Sequence, residues 1–317
     1  MKNTQFKIVF MGTPEFAVNI LETLFKKKYK IEAVVTAPDR PAGRGKKIKQ
    51  SAVKIFSKKN DLKLFQPKNL KNEDFVNELK KIKPDLIIVV AFRLLPDIIW
   101  KIPKLGTFNL HASLLPQYRG AAPINWVLIN GESETGVTTF FIDKNIDTGE
   151  IILQKKLKIK KNDTAGSLHD KLIKLGKQLV LKTVELISEK KINKIPQINN
   201  SYLKIAPKLN KTNCRIDWKK NGMEIENQVR GLCPRPGSWT ILENGKNKLN
   251  LKIYEVSFIK EQHIQKKGIV VIDNNSIKIS IDNGFIKLIQ FKLEGKKQMN
   301  IKDFLNGYTF EPNAKII

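Results

Sequence analysis

The first half of the chain alternates between continuous apolar runs and segments in which apolar residues recur every three or four positions. The runs are typical of strands covered on both faces, and the recurring pattern is typical of helices with one buried face. The predicted strands are Phe6–Met11, Ile31–Thr36, Leu62–Phe65, Leu86–Ala91 and Leu105–Leu110. The predicted helices are one with Thr13 as N-cap and Pro14 at its first position, then Ser51–Asn60 and Glu73–Ile82.

Strands that alternate with helices in this way predict a doubly wound, mostly parallel α/β sheet. The pattern continues with a helix at Ala121–Ile129, β-rich segments at Thr135–Ile142 and Ile151–Ile159, and a long amphipathic helix at Thr164–Glu189. We therefore predict a Rossmann-like α/β domain over residues 1–190.

The pattern changes after residue 190. Residues 191–210 are rich in Lys, Asn and Pro and lack periodicity, which predicts a linker. Beyond them we expect a short helix near Met223–Arg230 and then short strands separated by Gly and Asn pairs, which is typical of a small β-barrel. A chain of 317 residues is long enough for two domains, so residues 211–317 are predicted as a C-terminal barrel.

The charge balance favours a polyanionic partner without proving one. The formal net charge is +28, from 58 Lys and Arg against 30 Asp and Glu. A strongly basic protein attracts polyanions, and nucleic acid is the first to consider. Lys, Ile and Asn are all abundant, however, as expected of a chain encoded by an A/T-rich genome. Both explanations of the charge stay open at this point.

Several classes of protein are disfavoured by motifs that the sequence lacks. It has no GxGxxG, P-loop, GxSxG or HExxH motif, which argues against dinucleotide-dependent dehydrogenases, P-loop NTPases, α/β-hydrolases and zincins. Cys214 and Cys233 are its two cysteines and neither neighbours a His cluster, so we expect reduced thiols and no metal site. The N-terminal apolar run is too short for a secretory signal, and a cytoplasmic protein is expected.

Asn109 and His111 are the first candidates for chemistry, because they lie at the end of a predicted apolar strand. In open α/β sheets, ligands bind beyond the carboxyl ends of the strands, and residues two apart on a strand point to the same side. From position alone, a structural histidine is an equally good interpretation of His111. Asp147, in the turn Asp143–Gly149, is the best carboxylate candidate, although a turn aspartate often bonds its own backbone.

Acyl transfer to an amine needs three groups of these kinds. It needs a base for the amine proton, a donor for the oxyanion of the tetrahedral intermediate, and a group that orients or charges the base. The imidazole of His111, the carboxamide of Asn109 and the carboxylate of Asp147 match these requirements in turn.

The segment Asn109–Pro116 (NLHASLLP), followed by Arg119-Gly120 and later by Asp147–Gly149 (DTG), resembles the signature of the folate-dependent formyltransferases. In that family the Asn, His and Asp carry catalysis, and they match Asn109, His111 and Asp147 one for one. The resemblance implies 10-formyltetrahydrofolate as cosubstrate and no metal ion.

The resemblance also implies where the folate binds. The turn Ser113-Leu114-Leu115-Pro116 corresponds to the family's tetrahydrofolate-binding segment, and Val90 and Phe92 are the expected contacts after the preceding strand. The sequence departs from the family here: Ala91–Pro96 (AFRLLP) is about one residue shorter than the usual segment and lacks its glycine. The pterin contacts near Phe92 and Arg93 are therefore the part of the site that the resemblance defines least.

Four further segments extend the resemblance over the whole chain, to the branch of the family that formylates initiator methionyl-tRNA. They are Gly12–Phe16 (GTPEF), Pro38–Lys47, Arg119–Ile124 (RGAAPI) and a second half that holds Arg215–Trp218 (RIDW) and Pro234–Trp239 (PRPGSW). This resemblance implies a Rossmann-like catalytic domain followed by a barrel of OB type.

The Pro38–Lys47 loop is the predicted arm for the acceptor end of the tRNA. Its basic residues, which we predict as tRNA contacts, are Arg40, Arg44, Lys46 and Lys47. A guanidinium can bind phosphate and stack on bases, which makes Arg44 the first choice. A solvated basic loop is the more common meaning of such a run. Lys204, Lys208 and Lys211 are candidates for phosphate contacts with the tRNA body, and a monomer is the default assumption.

Three alternatives stay open beside this prediction. One is a relative that formylates a small amine. An enzyme for glycinamide ribonucleotide would not need the C-terminal extension, and an enzyme for an amino sugar would usually carry a dehydrogenase domain. A hydrolase of 10-formyltetrahydrofolate uses the same three residues. A basic RNA-binding protein without catalysis is the alternative from another class, and the intact Asn109, His111 and Asp147 argue against it.

Overall fold

The structure, a computed structural model, describes residues 6–42, 47–198, 202–273, 276–297 and 301–317. Contacts along the chain group it into two compact units. The first takes residues up to Gly120, Thr135–Leu157 and His169–Ile205, and the second takes Ala121–Glu134, Lys158–Leu168 and Ala206–Ile317. The assignment of residues 1–190, 191–210 and 211–317 to catalysis, linker and tRNA binding stays a prediction.

Helices and strands alternate through most of the described residues. The helices are α1 (Glu15–Lys26), α2 (Ala52–Lys59), α3 (Glu73–Ile82), α4 (Asp97–Trp100), α5 (Pro123–Ile129), α6 (Ala165–Ser188), α7 (Gly222–Leu232) and α8 (Ile301–Asn306). The strands are β1 (Lys7–Gly12), β2 (Lys30–Val35), β3 (Arg40–Ala42), β4 (Lys47–Lys49), β5 (Leu64–Phe65), β6 (Leu86–Val90), β7 (Thr107–His111), β8 (Arg119–Gly120), β9 (Glu134–Phe141), β10 (Ile151–Lys158), β11 (Ile205–Ala206), β12 (Ser238–Asn244), β13 (Asn247–Lys260), β14 (Val270–Asp273), β15 (Ser276–Ile281), β16 (Gly284–Leu293) and β17 (Lys315–Ile316).

The first unit is built on a seven-stranded sheet in the order β10-β9-β7-β6-β1-β2-β5. β1 pairs in parallel with β2 and β6, β2 with β5, and β6 with β7, while β9 runs antiparallel to β7. Every residue of β6 is buried, as expected for a continuous apolar strand covered on both faces. The prediction of a mostly parallel, Rossmann-like sheet is confirmed.

The second unit carries a six-stranded sheet in the order β14-β15-β16-β13-β12-β17. Its two ends approach each other, because Ile269 bridges Lys315 and the N–H of Ile316 donates to the Gly268 carbonyl at 2.7 Å. The sheet is therefore a nearly closed antiparallel barrel, and apolar side chains of its strands form one buried cluster. The predicted C-terminal barrel is confirmed.

The predicted capping of α1 is wrong. The helix begins at Glu15, and Pro14, with φ −81° and ψ −176°, occupies the N-cap position that the sequence pattern assigned to Thr13. Pro14 makes no side-chain cap hydrogen bond, and Glu15 places a negative charge in the first turn of the helix.

The predicted Pro38–Lys47 loop contains regular structure at both ends. β3 and β4 pair antiparallel, with Arg40 opposite Lys49 and Ala42 opposite Lys47, so the segment is the stem of a hairpin. At its base Asp39 accepts from the Lys54 ammonium at 2.5 Å and from Gln66 Nε2 at 3.0 Å. The sequence does not predict these two strands, because the segment consists mostly of basic residues, Pro and Gly and lacks the alternating apolar residues that indicate a strand.

The polar stretch predicted as a linker makes defined contacts within the first unit. Ile195 bridges Ile151 of β10, and each N–H of this pair donates to the other's carbonyl at 2.8–2.9 Å. Among the described residues, no helix is long and apolar enough to cross a membrane. Cys214 and Cys233 are free, as predicted, and burial raises the pKa of both thiols.

Candidate active site

Strand β7 lies inside the first sheet and places Asn109 and His111 at its carboxyl end. β6 pairs with it in parallel on one side, and β9 pairs antiparallel on the other, with His111 opposite Thr138. Asn109 is half-buried and His111 is buried. Because the two residues are two positions apart on a strand, their side chains leave the same face of the sheet.

The imidazole of His111 is oriented by a main-chain carbonyl. Its Nε2 lies 2.8 Å from the carbonyl oxygen of Tyr118, and its Nδ1 lies 3.7 Å from Oδ2 of Asp147. A carbonyl oxygen can only accept, so Nε2–H is the donor, and this assignment follows from the hydrogen-bond network. In the neutral ring Nδ1 is then the basic nitrogen, and it faces a carboxylate.

Asp147 reaches His111 from a tight turn after β9. Its backbone is left-handed, with φ +55°, and its Oδ2 accepts from the Gly120 N–H at 2.9 Å. A Cβ added at Gly149 would lie 1.7 Å from the Phe141 carbonyl oxygen, so this turn closes against the end of β9 only with glycine there. The carboxylate oxygen lies 3.7 Å from Nδ1 of His111, and the Asp147 side chain is 15% exposed.

The carboxamide of Asn109 is available to a ligand. In the part of the chain that the structure describes, no protein group hydrogen-bonds this side chain, which is half-buried at the strand end. An amide N–H₂ that is held on a strand and lacks a partner can donate to an oxygen on which negative charge develops. The structure thus places an imidazole 3.7 Å from a carboxylate, with a carboxamide two positions away on the same strand.

The turn after β7 has a rigid inner side and an accessible outer side. Ser113 is buried and its hydroxyl donates to the Gln117 carbonyl at 2.6 Å, while Leu115 is buried and its carbonyl accepts from Gln154 at 2.7 Å. Leu114 and Pro116 keep part of their surface exposed. Of the four residues predicted to bind folate, these two are therefore the ones whose side chains a ligand can touch.

The segment after β6 turns sharply away from the sheet. Val90 is fully buried, Ala91 has a left-handed backbone with φ +47°, and Phe92 is half-buried with Arg93 stacked 5.6 Å from its ring centre. Arg93 donates to the carbonyls of Lys68 and Pro67. Burial lowers the pKa of the Arg93 guanidinium from its ordinary value, and the charge of Arg40 lowers it further.

A cleft of about 960 Å³ opens beside this segment. Its lining includes five cationic side chains, namely Lys68, Lys71, Arg93, Lys101 and Lys144, against the carboxylates of Asp97 and Asp143. Asp97 pairs with Lys101 at 3.2 Å, and Asp143 accepts from Thr148 at 2.8 Å. Five cations against two carboxylates give the cleft a net positive charge, and Lys68, Lys71 and Lys144 are exposed.

The predicted tRNA contacts are described in part. Arg40 is exposed on β3, the backbone of Lys47 lies in β4, and Arg44 and Lys46 lie outside the described residues. Lys204 donates its backbone N–H to the Gln117 side chain, and the Lys211 ammonium stacks 5.2 Å from the ring centre of Trp239. These residues stay predictions as tRNA contacts.

Within the described ranges no three His, Cys, Asp or Glu side chains converge as a metal site would require.

Comparisons with known proteins place the chain in one family. Residues 6–184 match the family model described as formyl transferase, and residues 208–309 match the formyl transferase C-terminal domain. The methionyl-tRNA formyltransferase of Flavobacterium johnsoniae is 52% identical over 98% of this chain and 99% of its own length. That of Bacteroides fragilis is 45% identical over 97% of both chains. This chain belongs to the methionyl-tRNA formyltransferase family.

Solved structures agree with this membership in fold. An N-formyltransferase from Helicobacter canadensis, crystallised with folinic acid and dTDP-3-aminofucose, is 25% identical, with a TM-score of 0.67 over 91% of this chain and all of its own. HypX from Aquifex aeolicus, crystallised with tetrahydrofolic acid, is 17% identical, with a TM-score of 0.62 over 96% of this chain and 48% of its own. The second likeness shows the fold alone.

The sequence did not reveal the groups that contact His111 and the turn of Asp147. The Tyr118 carbonyl and the Gly120 N–H act through the main chain, so their side-chain identities carry no signal. Gln197 donates to the carbonyls of Asp147 and Gly149, yet it lies in the polar stretch predicted as a linker. No single-sequence pattern marks a glutamine there as part of a site.

Proposed function

We propose that this chain transfers the formyl group of 10-formyltetrahydrofolate to the α-amino group of initiator methionyl-tRNA. The observation that carries the proposal is the pairing of His111 with Asp147, in a chain that matches the Flavobacterium johnsoniae enzyme over nearly its whole length. Asn109, on the same strand as His111, has no hydrogen-bond partner for its side chain among the described residues. The folinic acid bound to the Helicobacter canadensis relative supports a folate as donor. Residues 1–190 hold the reaction, and residues 211–317 with the 191–210 linker hold tRNA.

Each residue of the trio has a separate role in the proposed reaction. Asn109 donates to the formyl oxygen as the amine nitrogen attacks the formyl carbon and charge builds on that oxygen. His111 takes the amine proton on Nδ1 and returns a proton to N10 of the folate as the C–N10 bond breaks. Asp147 stabilises the imidazolium between these two steps. No covalent intermediate with the protein is required.

A single assay tests this function against its alternatives. The protein is incubated with 10-formyltetrahydrofolate and methionine-charged initiator tRNA, and N-formylmethionine is sought after deacylation. Glycinamide ribonucleotide, a dTDP-amino sugar and buffer without amine replace the tRNA in parallel reactions. Formyl transfer to the tRNA alone supports the proposal. Formate release without an amine would identify a hydrolase, and formylation of a small amine would identify another branch of the family.

The tRNA part of the proposal predicts a steep dependence on salt. With about three or four phosphates neutralised, the apparent affinity for tRNA is expected to fall by roughly 20- to 150-fold between 50 and 200 mM salt, because bound counterions are released. Arg40→Gln removes one exposed cation of the hairpin stem and lowers the log–log slope by about one. The KM for the folate in the same salt series is the internal control. A flat tRNA response contradicts phosphate-driven binding.

The cationic cleft predicts where the acidic end of the folate lies. It is lined by Arg93, next to the predicted pterin contact Phe92, and by Asp143 and Lys144 of the turn that carries Asp147. A folate ends in glutamate carboxylates, and we propose that Lys68, Lys71 and Lys144 attract them. Each exposed charge pair contributes about 0.2–1 kcal/mol, which is a few-fold in affinity.

Replacing the three lysines by glutamine tests this placement. The triple variant is expected to raise the KM for 10-formyltetrahydrofolate about tenfold and to leave kcat and the KM for tRNA unchanged. The matched control is a triple glutamine variant of Lys80, Lys83 and Lys104, which line a different cleft. Equal effects of the two triple variants would mean that net charge, rather than this cleft, is responsible.

A cytoplasmic site of action follows from the proposed substrate, because charged initiator tRNA serves bacterial translation there. The predicted monomer remains a prediction that sedimentation of the purified chain would check.

A further inference from the structure

Gln197 uses its whole carboxamide on two segments of the first unit. Its Nε2 donates to the carbonyl oxygens of Asp147 at 3.0 Å and Gly149 at 2.8 Å. Its Oε1 accepts from Nε of Arg119 at 3.0 Å and from a terminal guanidinium nitrogen of Arg119 at 2.7 Å. The side chains of Gln197 and Arg119 are both half-buried.

The two segments joined by Gln197 are the ones that orient His111 and Asp147. On one side, Arg119 stands between Tyr118, whose carbonyl accepts from His111, and Gly120, whose N–H donates to the Asp147 carboxylate. On the other side, the Asp147–Gly149 backbone carries that carboxylate and is left-handed at Asp147. Gln197 therefore connects the support of the base to the support of the carboxylate.

We propose that Gln197 is a positioning residue that fixes the separation of His111 and Asp147. The proposal rests on the function proposed above for its catalytic meaning, and it names a residue whose side-chain hydrogen bonds go to protein groups. A left-handed aspartate is a sparsely populated conformation that surrounding contacts must hold. Two hydrogen bonds to its turn, anchored on a guanidinium, provide such a hold.

The position needs an amide rather than an acid. A carboxylate can only accept, so Gln197→Glu keeps the contact with Arg119 and loses both donors to the Asp147–Gly149 carbonyls. Gln197→Leu removes the donors and the acceptor at a similar volume. The two variants therefore separate the role of the turn contacts from the role of the Arg119 contact.

The first measurement is steady-state kinetics. Gln197→Leu is expected to lower kcat by roughly 10- to 100-fold and Gln197→Glu by roughly 5- to 50-fold, since each lost hydrogen bond corresponds to about 2- to 12-fold. The KM values for folate and tRNA are expected to stay within about twofold, because both polar atoms of the side chain are bonded to protein groups. Gln178→Leu is the matched control, since Gln178 contacts the exposed Lys155 ammonium at 2.8 Å.

The second measurement follows His111 directly and needs no substrate. The chain has three histidines, so ¹⁵N spectra of the imidazole rings can be assigned with single substitutions of the other two. At one fixed pH, the His111 nitrogen shifts are expected to change in both Gln197 variants and to match the unsubstituted protein in Gln178→Leu. Melting curves verify that each variant is folded.

Unchanged His111 shifts together with unchanged kcat in Gln197→Leu would overturn the proposal. A lower melting temperature with unchanged His111 shifts would also overturn it, since that is the signature of a merely structural residue. Because the spectra are recorded without folate or tRNA, they test the positioning role even if the formylation assay fails. A failed assay with shifted His111 resonances would refute the proposed function and leave the positioning role standing.

Discussion

His111→Ala is expected to lower kcat for formyl transfer about 10²- to 10⁴-fold while the KM values change little. Removing a positioned general base costs that much, because the amine proton must then pass to water. Nδ1 is the group lost, since Nε2–H is committed to the Tyr118 carbonyl at 2.8 Å. Single-turnover rates with both substrates saturating measure the chemical step separately from product release.

Two controls make this result specific. His111 is 6% exposed, so alanine leaves a cavity, and His111→Gln keeps most of the volume without the imidazole base. We expect both variants to lose activity alike. His169→Ala is the matched histidine control, since His169 lies on α6 and packs against the ring of Phe16 at 5.5 Å. Normal turnover by a folded His111→Gln protein would remove the imidazole from the mechanism.

Asn109→Ala is expected to lower kcat about 10²- to 10³-fold, again with little change in KM. A donor aimed at the developing oxyanion acts mainly in the transition state, so its loss appears in kcat rather than in substrate binding. No protein partner among the described residues competes for this carboxamide, so the variant breaks no internal hydrogen bond. Its stability should therefore stay close to that of the unsubstituted protein.

Asn109→Asp sharpens the test because it changes charge rather than size. A carboxylate at this position repels the oxyanion, so the aspartate variant is expected to be slower than the alanine variant. Asn19→Ala, on the surface of α1 where Asn19 Nδ2 donates to the Glu15 carbonyl, is the matched control. If Asn109→Asp proves faster than Asn109→Ala, the carboxamide is not an oxyanion donor.

The sequence predicts those helices and strands whose apolar residues follow a regular pattern. β6 and β7 follow from continuous apolar runs, whereas the four-residue α4 between them is too short to show a helical period. Asn109 and His111 could be placed together for the same reason, since one strand carries both. The first residue of α1 could not be predicted, because Pro14 takes the N-cap position that the pattern assigns to Thr13.

The sequence does not predict contacts between segments that are far apart along the chain, and the reason is physical. Asp147 lies 36 positions after His111, and its side-chain direction depends on a left-handed turn that closes on Phe141. Resemblance alone brought it into the site before the geometry did. Neither the resemblance nor the apolar pattern identified Gln197, because hydrogen bonds to main-chain carbonyls produce no periodic pattern in the sequence.

The hydrogen bond from His111 to the Tyr118 carbonyl affects which substitutions the site can accept during evolution. The acceptor is a peptide carbonyl, which every amino acid supplies, so substitutions at position 118 leave the protonation pattern of the imidazole in place. The φ of +60° at Tyr118 still limits which residues fit there comfortably. The backbone position of residue 118 thus determines which nitrogen of His111 accepts the proton, and the side chain at that position does not.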